Sequence, residues 1–177
     1  LDENSSPTKR KRGEIILRVS EVSLRDIEES DLPIFYSHQT DRDANYIAAF
    51  TAKDPLDKEA FLGHWKKIMA SDTVIIRTIL KENTVVGHIA KFEMFGEPEI
   101  TYWLGKEYWG QGITTLALTM FLEVVTIRPL FARAAKDNIA SLRVLRKCGF
   151  NMISEDKGFA NARGTEIEEY VLKLNSL

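Results

Sequence analysis

The chain is 177 residues long, 44% hydrophobic, and carries a formal net charge of -2 at pH 7. That length accommodates one domain with a sizeable core and excludes two ordinary ones, while the small net charge excludes a global pull toward nucleic acid or an anionic membrane. No apolar run reaches spanning length, the single Cys148 has no partner in the chain, and His38, His64 and His88 lack metal-ligand spacing, so a membrane span, a disulfide framework and a metal site are not indicated. The lack of both a disulfide framework and a signal-peptide pattern fits a cytoplasmic protein.

In chain order, residues 1–14 are polar with a basic run at Lys9, Arg10, Lys11 and Arg12, and read as a loose tail ahead of one domain over 15–177. Residues 15–25 alternate as a strand centred on Val22, Ser23, Leu24 and Arg25. A helix starts near Ser30, with Ser30 or Asp31 as its cap and Leu32, Ile34 and Phe35 as a short apolar stripe. Residues 41–53 show no clear period. A second helix follows Pro55, with Asp57 as cap and Phe61, Leu62, Trp65, Ile68 and Met69 at helical spacing. Residues 73–95 form a hairpin turning at Glu82 and Asn83, with His88 inside its second strand as a packed or solvent-facing side chain. Gly96, Glu97 and Pro98 then turn the chain into a strand over 99–104, whose entrance suits Pro98.

A glycine-punctuated turn follows, and then a helix over 114–127 that is apolar nearly all round, is expected to be deeply covered, and is ended by Pro129. After a strand at 129–135, Asn138 caps a helix reaching Cys148, with Ile139, Leu142 and Leu145 inward and Arg143, Arg146 and Lys147 outward; Gly149 stops it. Strands at 151–157 and 165–174 close the chain around a turn at 158–164. The order is mixed α+β, with antiparallel pairing except where a strand–helix–strand crossover forces a parallel neighbour.

The chemistry concentrates at 99–128. Gly110 and Gly112 permit positive φ and leave no side chain in a ligand's way, so the amides at the start of the following helix, with its dipole behind them, form a site for phosphate or pyrophosphate. No lysine follows at the P-loop position, which argues against a Walker-type nucleotide site. Alone, a strand, a two-glycine turn and a helix serve as punctuation as readily as they serve a ligand.

Taken with the downstream block Lys136-Asp137-Asn138-Ile139-Ala140-Ser141-Leu142-Arg143-Val144-Leu145-Arg146-Lys147-Cys148-Gly149-Phe150, the sequence from about Val74 onward resembles the GCN5-related N-acetyltransferase (GNAT) family. Within it, the resemblance is to the branch that acetylates N-terminal amines of ribosomal proteins (RimJ/RimL type). It implies a central, mostly antiparallel twisted sheet of about seven strands with a splayed parallel pair, flanked by about four helices. It also implies acetyl-CoA as cofactor. The pyrophosphate would rest on amides from Gln111 to Thr115, with Trp109, Gly110, Gly112, Ile113 and Thr114 shaping the turn, and the pantetheine arm beside Tyr102, Trp103 and Leu104, where a main-chain amide meets the oxyanion. Asn138 caps its helix and contacts cofactor or substrate, and Ser141 sits near the CoA sulfur as a hydrogen-bond donor rather than a free acid. Glu99 serves as general base or holds the amine. Tyr36, His38 and Thr101, with Tyr46, Phe50 and Trp65, line the acceptor side.

Plainer readings stand beside these. Glu99 also reads as an edge glutamate in water, Ser141 as an ordinary polar residue of a first helical turn, and Phe50 and Trp65 as core. The motif departs from most of the family at Thr114, where glycine or alanine is usual; its side chain either crowds the pyrophosphate or adds a hydrogen bond. The acceptor stays open among a protein N-terminal amine, a small amine such as a polyamine, amino sugar or antibiotic, and none at all in a non-catalytic acyl-CoA sensor. Asp41 and Asp43 attract any cationic acceptor and do not decide it. The chain is expected as a monomer or homodimer.

Overall fold

The computed structural model describes residues 22–175. The basic tail and the part of the first expected strand before Val22 lie outside the described residues. The elements run β1 (Val22–Arg25), α1 (Leu32–Gln39), α2 (Arg42–Ala48), α3 (Lys58–Met69), β2 (Ile75–Lys81), β3 (Thr84–Met94), β4 (Glu97–Leu104), α4 (Ile113–Val124), β5 (Leu130–Ala135), α5 (Ile139–Lys147), β6 (Asn151–Ala160) and β7 (Thr165–Leu174). The strands form one sheet in the order β1-β2-β3-β4-β5-β7-β6, antiparallel throughout except between β4 and β5. This is the mixed α+β sheet that the residue pattern predicts, and its one parallel pair is the one spanned by the α4 crossover.

Period-two alternation sorts side chains between the two faces of the sheet. On one face Ile79, Ile89, Ile100, Leu104, Leu130, Ala132, Ala134 and Leu172 meet Ile113, Ala117, Leu118, Phe121, Leu142 and Leu145 of α4 and α5 in the main core. Phe121 and Leu118 are fully buried there, and cutting Phe121 back to alanine costs about 3–5 kcal/mol. On the other face Phe35 of α1 and Phe61 and Trp65 of α3 pack on Ile76 and Ala90. Further along that face, Ala49, just past α2, joins Ala135 and Ala160 in a small cluster of its own.

Asp31 ties the first strand to both layers. Its carboxylate accepts from Arg25 at 2.6 and 2.7 Å, from Thr78 Oγ1 at 2.7 Å and from the Glu28 amide at 3.0 Å. Burial raises this carboxyl, but those donors outweigh burial and hold it below the usual carboxylate range.

Several expectations are corrected. The helix count agrees with the expected fold, with five α-helices among the described residues, but residues 42–48, read as having no clear period, form a short helix, α2, that Asp41 caps by accepting from the Ala44 amide at 2.8 Å. Asp31 does not cap α1 with its side chain, which is engaged with Arg25 and Thr78; Asp57 does cap α3, at 2.9 Å from the Ala60 amide. The turn expected at 96–98 is confined to Phe95 and Gly96, since Glu97 and Pro98 already pair with Met94 and Glu93. α4 begins at Ile113 and ends at Val124, short of Pro129, and it is not covered all round: Leu116 and Val124 are exposed. Ile139, expected inward, is 56% exposed, because α5 turns Leu142 and Leu145 to the core instead. The turn expected at 158–164 is shorter, since β6 continues through Gly158 and Phe159 to Ala160. Of the two aromatics read as core, Trp65 is buried and Phe50 is 38% exposed.

Candidate functional site

β4 and β5 share a single parallel rung, Glu99 opposite Phe131. Beyond it each strand continues on its outer side, β4 paired to β3 as far as Leu104 and β5 paired to β7 as far as Ala135, but the two no longer pair with each other. The splay expected from the resemblance is thus present, and the facing edges of residues 101–104 and 133–135 border an opening in the middle of the sheet.

The loop from β4 leads directly to α4. Gly110 and Gly112 take φ of 73° and 76°, the left-handed region that favours glycine, and a Cβ built on either meets nothing within 4 Å. The first helical hydrogen bond runs from the Leu116 amide to the Gly112 carbonyl at 3.2 Å, and no side chain caps the helix. The amides of residues 110–115 therefore have no protein acceptor among the described residues, and the space beside them is open. Side chains of the turn are turned to other tasks. The Trp109 indole N–H donates to the Leu104 carbonyl at 3.0 Å, while the Gln111 amide group donates to the Glu107 carbonyl at 3.2 Å and accepts from Lys81 Nζ at 2.6 Å. Ile113 is buried and anchors the first turn; Thr114 and Thr115 are half-buried. A row of unpaired N–H groups at the positive end of a twelve-residue helix, free of side chains, fits a diphosphate.

Two hydroxyls meet beside this cradle. Asn138 accepts from the Ser141 amide at 3.1 Å and caps α5, which brings Ser141 Oγ to 2.7 Å from Tyr102 Oη. Burial pushes the Tyr102 phenol well above its ordinary value, so it stays protonated and able to donate. The sequence offered no tyrosine in α5; one arrives from β4, three residues after the glutamate, on the opposite face of that strand.

On the other face of β4 lie Glu99, Thr101 and Trp103. Glu99 is 4% exposed, which excludes the reading of an edge glutamate in water. Its Oε1 accepts from Arg133 Nε at 3.0 Å, and Arg133 also donates to Asp156 Oδ2 at 2.9 Å and Glu169 Oε1 at 3.0 Å. Burial raises the Glu99 carboxyl, against the opposing pull of Arg133. Thr101 is exposed, and the Trp103 indole N–H is buried with no partner among the described residues. Opposite Trp103 stands His88, packed 4.7 Å from the Phe35 ring and 4.9 Å from the Trp65 ring, where burial pushes its imidazole down to about 3 and keeps it neutral.

The remaining acceptor-side candidates are less concentrated. Tyr36 donates its hydroxyl to the Leu56 carbonyl at 2.7 Å and so fastens α1 to the loop before α3. His38 is buried, with Nε2 3.8 Å from Glu107 and Nδ1 without a partner; burial lowers it, against the carboxylate of Glu107. Tyr46 is 57% exposed under the guanidinium of Arg163. Arg133 was missed by sequence reasoning, although an arginine between alanines in a central strand was a usable signal. No cluster of metal-ligating side chains occurs among the described residues.

A parallel pair that parts after one rung, with a bare helix N-terminus at its mouth, makes an opening with room for an anionic group beside it. The model of the acetyltransferase (GNAT) domain family matches residues 21–151, and the chain belongs to that family. It is an acyltransferase that uses acetyl-CoA and acts on an amine. None of the curated proteins matches the chain. Among solved structures, RimJ from Mycobacterium smegmatis in complex with CoA-disulfide superposes with a TM-score of 0.73 at 19% identity, over 87% of this chain and 81% of that one. A ribosomal-protein-S5-alanine acetyltransferase from Vibrio fischeri gives 0.68 at 18% identity, over 88% and 93%. A spermidine N-acetyltransferase SpeG chimera from Vibrio cholerae and hSSAT gives 0.69 at 14%, over 86% and 95%. At these identities the likeness is one of fold. No helix among the described residues is long and apolar enough to cross a membrane.

Proposed function

We propose that the chain acetylates a primary amine presented on the Glu99 face of the opening, and that a protein N-terminal amine of the ribosomal type is its acceptor. The observation that carries this reading is Glu99 itself. It is a buried carboxylate at the one rung joining β4 to β5, with Oε1 held by Arg133 and Oε2 without a hydrogen-bond partner among the described residues. Burial raises its affinity for a proton toward the working range of a base, so Oε2 takes the proton that an ammonium acceptor must lose before it can attack.

When bound, acetyl-CoA supplies the activated acetyl thioester. The amides of Gln111, Gly112, Ile113, Thr114 and Thr115 bind its diphosphate, and Thr114 tolerates this because only main chain is required to face the ligand. A main-chain N–H within 102–104, unpaired toward β5, donates to the developing oxyanion. Tyr102 and Ser141 share one hydrogen bond, so one proton lies between them and the hydroxyl whose proton is free donates to the leaving sulfur; neither is a strong acid, and the pair stabilises the thiolate by hydrogen bonding. The branch assignment draws on the tryptophan that opens the turn, Trp109, and on Ser141.

A polycationic small amine is the second reading, favoured by three carboxylates around one guanidinium on the acceptor face. Thiol release from acetyl-CoA, followed by mass spectrometry, against N-terminal peptides and a panel of polyamines and amino sugars, separates the two. Peptide-stimulated release with the acetyl group on the α-amine supports the first reading. Release stimulated by spermidine and by no peptide overturns it.

A further inference from the structure

Arg133 occupies a position that the acyl-transfer chemistry above does not use. Phe131, two residues earlier, is at the last rung shared with β4; by Arg133 the strands have parted. Its side chain nevertheless leans back across the opening, on the acceptor face, to reach Glu99. The guanidinium is fixed from behind by two further carboxylates, Asp156 of β6 and Glu169 of β7, and the Phe95 ring lies 5.3 Å from it. Four strands thus converge on one cation. A guanidinium is a rigid fork, so with Nη1 held by two carboxylates its Nε–H is aimed rather than merely nearby. It engages Oε1 of Glu99 and leaves the other oxygen, Oε2, without a hydrogen bond among the described residues.

We propose that Arg133 is the positioning residue for Glu99: it fixes the rotamer that aims Oε2 at the acceptor amine and keeps the carboxylate ionised until the amine arrives. This rests on the reading of Glu99 as the group that handles the acceptor. Without a cation at this point, the buried carboxyls of Glu99 and Glu169 would face each other with the exposed Asp156 nearby, and a buried carboxyl so placed holds its proton. The charged groups facing Glu99 are Arg133 on β5, Glu169 on β7 and, through Arg133, Asp156 on β6. Its neighbour on β3 is the uncharged Phe92, and no charged side chain of α1, α2 or α3 pairs with it among the described residues.

The test combines two readouts. In protein labelled at the glutamate carboxyl carbon, with E99Q identifying the Glu99 signal, NMR titration follows its ionisation without any acceptor. Arg133→Met is expected to raise the Glu99 midpoint by about 1–3 pH units, and Arg133→Lys, which keeps the charge, by less. In the pH profile of kcat/KM, Arg133→Met is expected to move the acid limb upward by the same amount while the acetyl-CoA Kd changes less than about twofold, since the diphosphate cradle is untouched. An unmoved Glu99 midpoint in Arg133→Met overturns the proposal. If instead E99Q leaves the parent's acid limb in place, it is Glu99 as base that fails. Should Arg133→Met not fold, Arg133→Lys decides: an unchanged midpoint together with an unchanged kcat shows that the fork geometry positions nothing.

Discussion

The two sides of the opening between β4 and β5 are built by different means. The α4 side is main chain: amides of residues 110–115, positive φ at two glycines, and side chains such as Trp109 and Gln111 drawn away to other partners. The acceptor side is side chain: Glu99 clamped by Arg133, histidines packed into aromatic rings, and α2 held in place by ion pairs from elsewhere. Lys106 pairs with Asp43 in the first turn of α2, while Arg163 donates to the Tyr46 carbonyl at 2.9 Å and to Asp137 at 2.6 and 2.9 Å. A main-chain cradle recognises a group common to every reaction of the family and depends on few side-chain identities. A side-chain wall is specific to its acceptor.

The contrast is sharpest in paired substitutions. Glu99→Gln is expected to lower kcat/KM by about 10²–10³, the usual worth of a general base, and to leave the acetyl-CoA Kd within about twofold. Gly112→Val attacks the other side. A β-branched residue at φ of 76° is strained and its side chain enters the space open to the diphosphate, so acetyl-CoA affinity falls at least about tenfold by calorimetry while the folded protein persists. If the two variants exchange phenotypes, the division of labour is wrong.

Away from the opening, Asp31→Ala should cost about 2–3 kcal/mol in chemical denaturation, since it strands Arg25 and Thr78 at a buried joint, with little change in turnover at 25 °C. Its pH dependence has a definite sign. A carboxyl depressed in the folded state contributes stability that is fully present above its unfolded value and is lost as pH falls through the lower folded value. The parent should lose that increment below about pH 4, and Asp31→Ala should show a correspondingly shallower acid loss. Ser141→Ala should lower kcat by about tenfold or less, because Tyr102 retains its hydroxyl. The exposed Lys106–Asp43 pair is the smallest case: Lys106→Met should change thermal stability by less than about 0.5 kcal/mol, and a larger effect on peptide KM would show that α2 is held for the acceptor's benefit.

How much of this was legible in the sequence follows the same divide. The backbone of the two-glycine turn was, because glycine spacing and the restart of an apolar helix report conformation directly, and the antiparallel hairpins were, because alternation reports burial. α2 was not: its seven residues, Arg-Asp-Ala-Asn-Tyr-Ile-Ala, carry no apolar stripe, and bonds from Lys106 and Arg163, distant in sequence, help hold it. Gly158 read as a turn but lies inside β6, where the space above it belongs to Phe50; a Cβ there would come 3.3 Å from the Phe50 ring. Arg133 stood out locally as an arginine between alanines, but its role did not. Its meaning depends on where β5 parts from β4, and local pattern carries no information about that.

The claim on which the account rests is that unpaired main-chain amides at the start of α4 hold the diphosphate. Amide NMR of the folded protein titrated with CoA, and separately with inorganic pyrophosphate, measures it directly. The account predicts that the amide resonances of residues 110–115 move on addition of either ligand, in the downfield direction of a newly accepted anion. CoA binding that leaves those six amides unmoved, while resonances elsewhere shift, would contradict it.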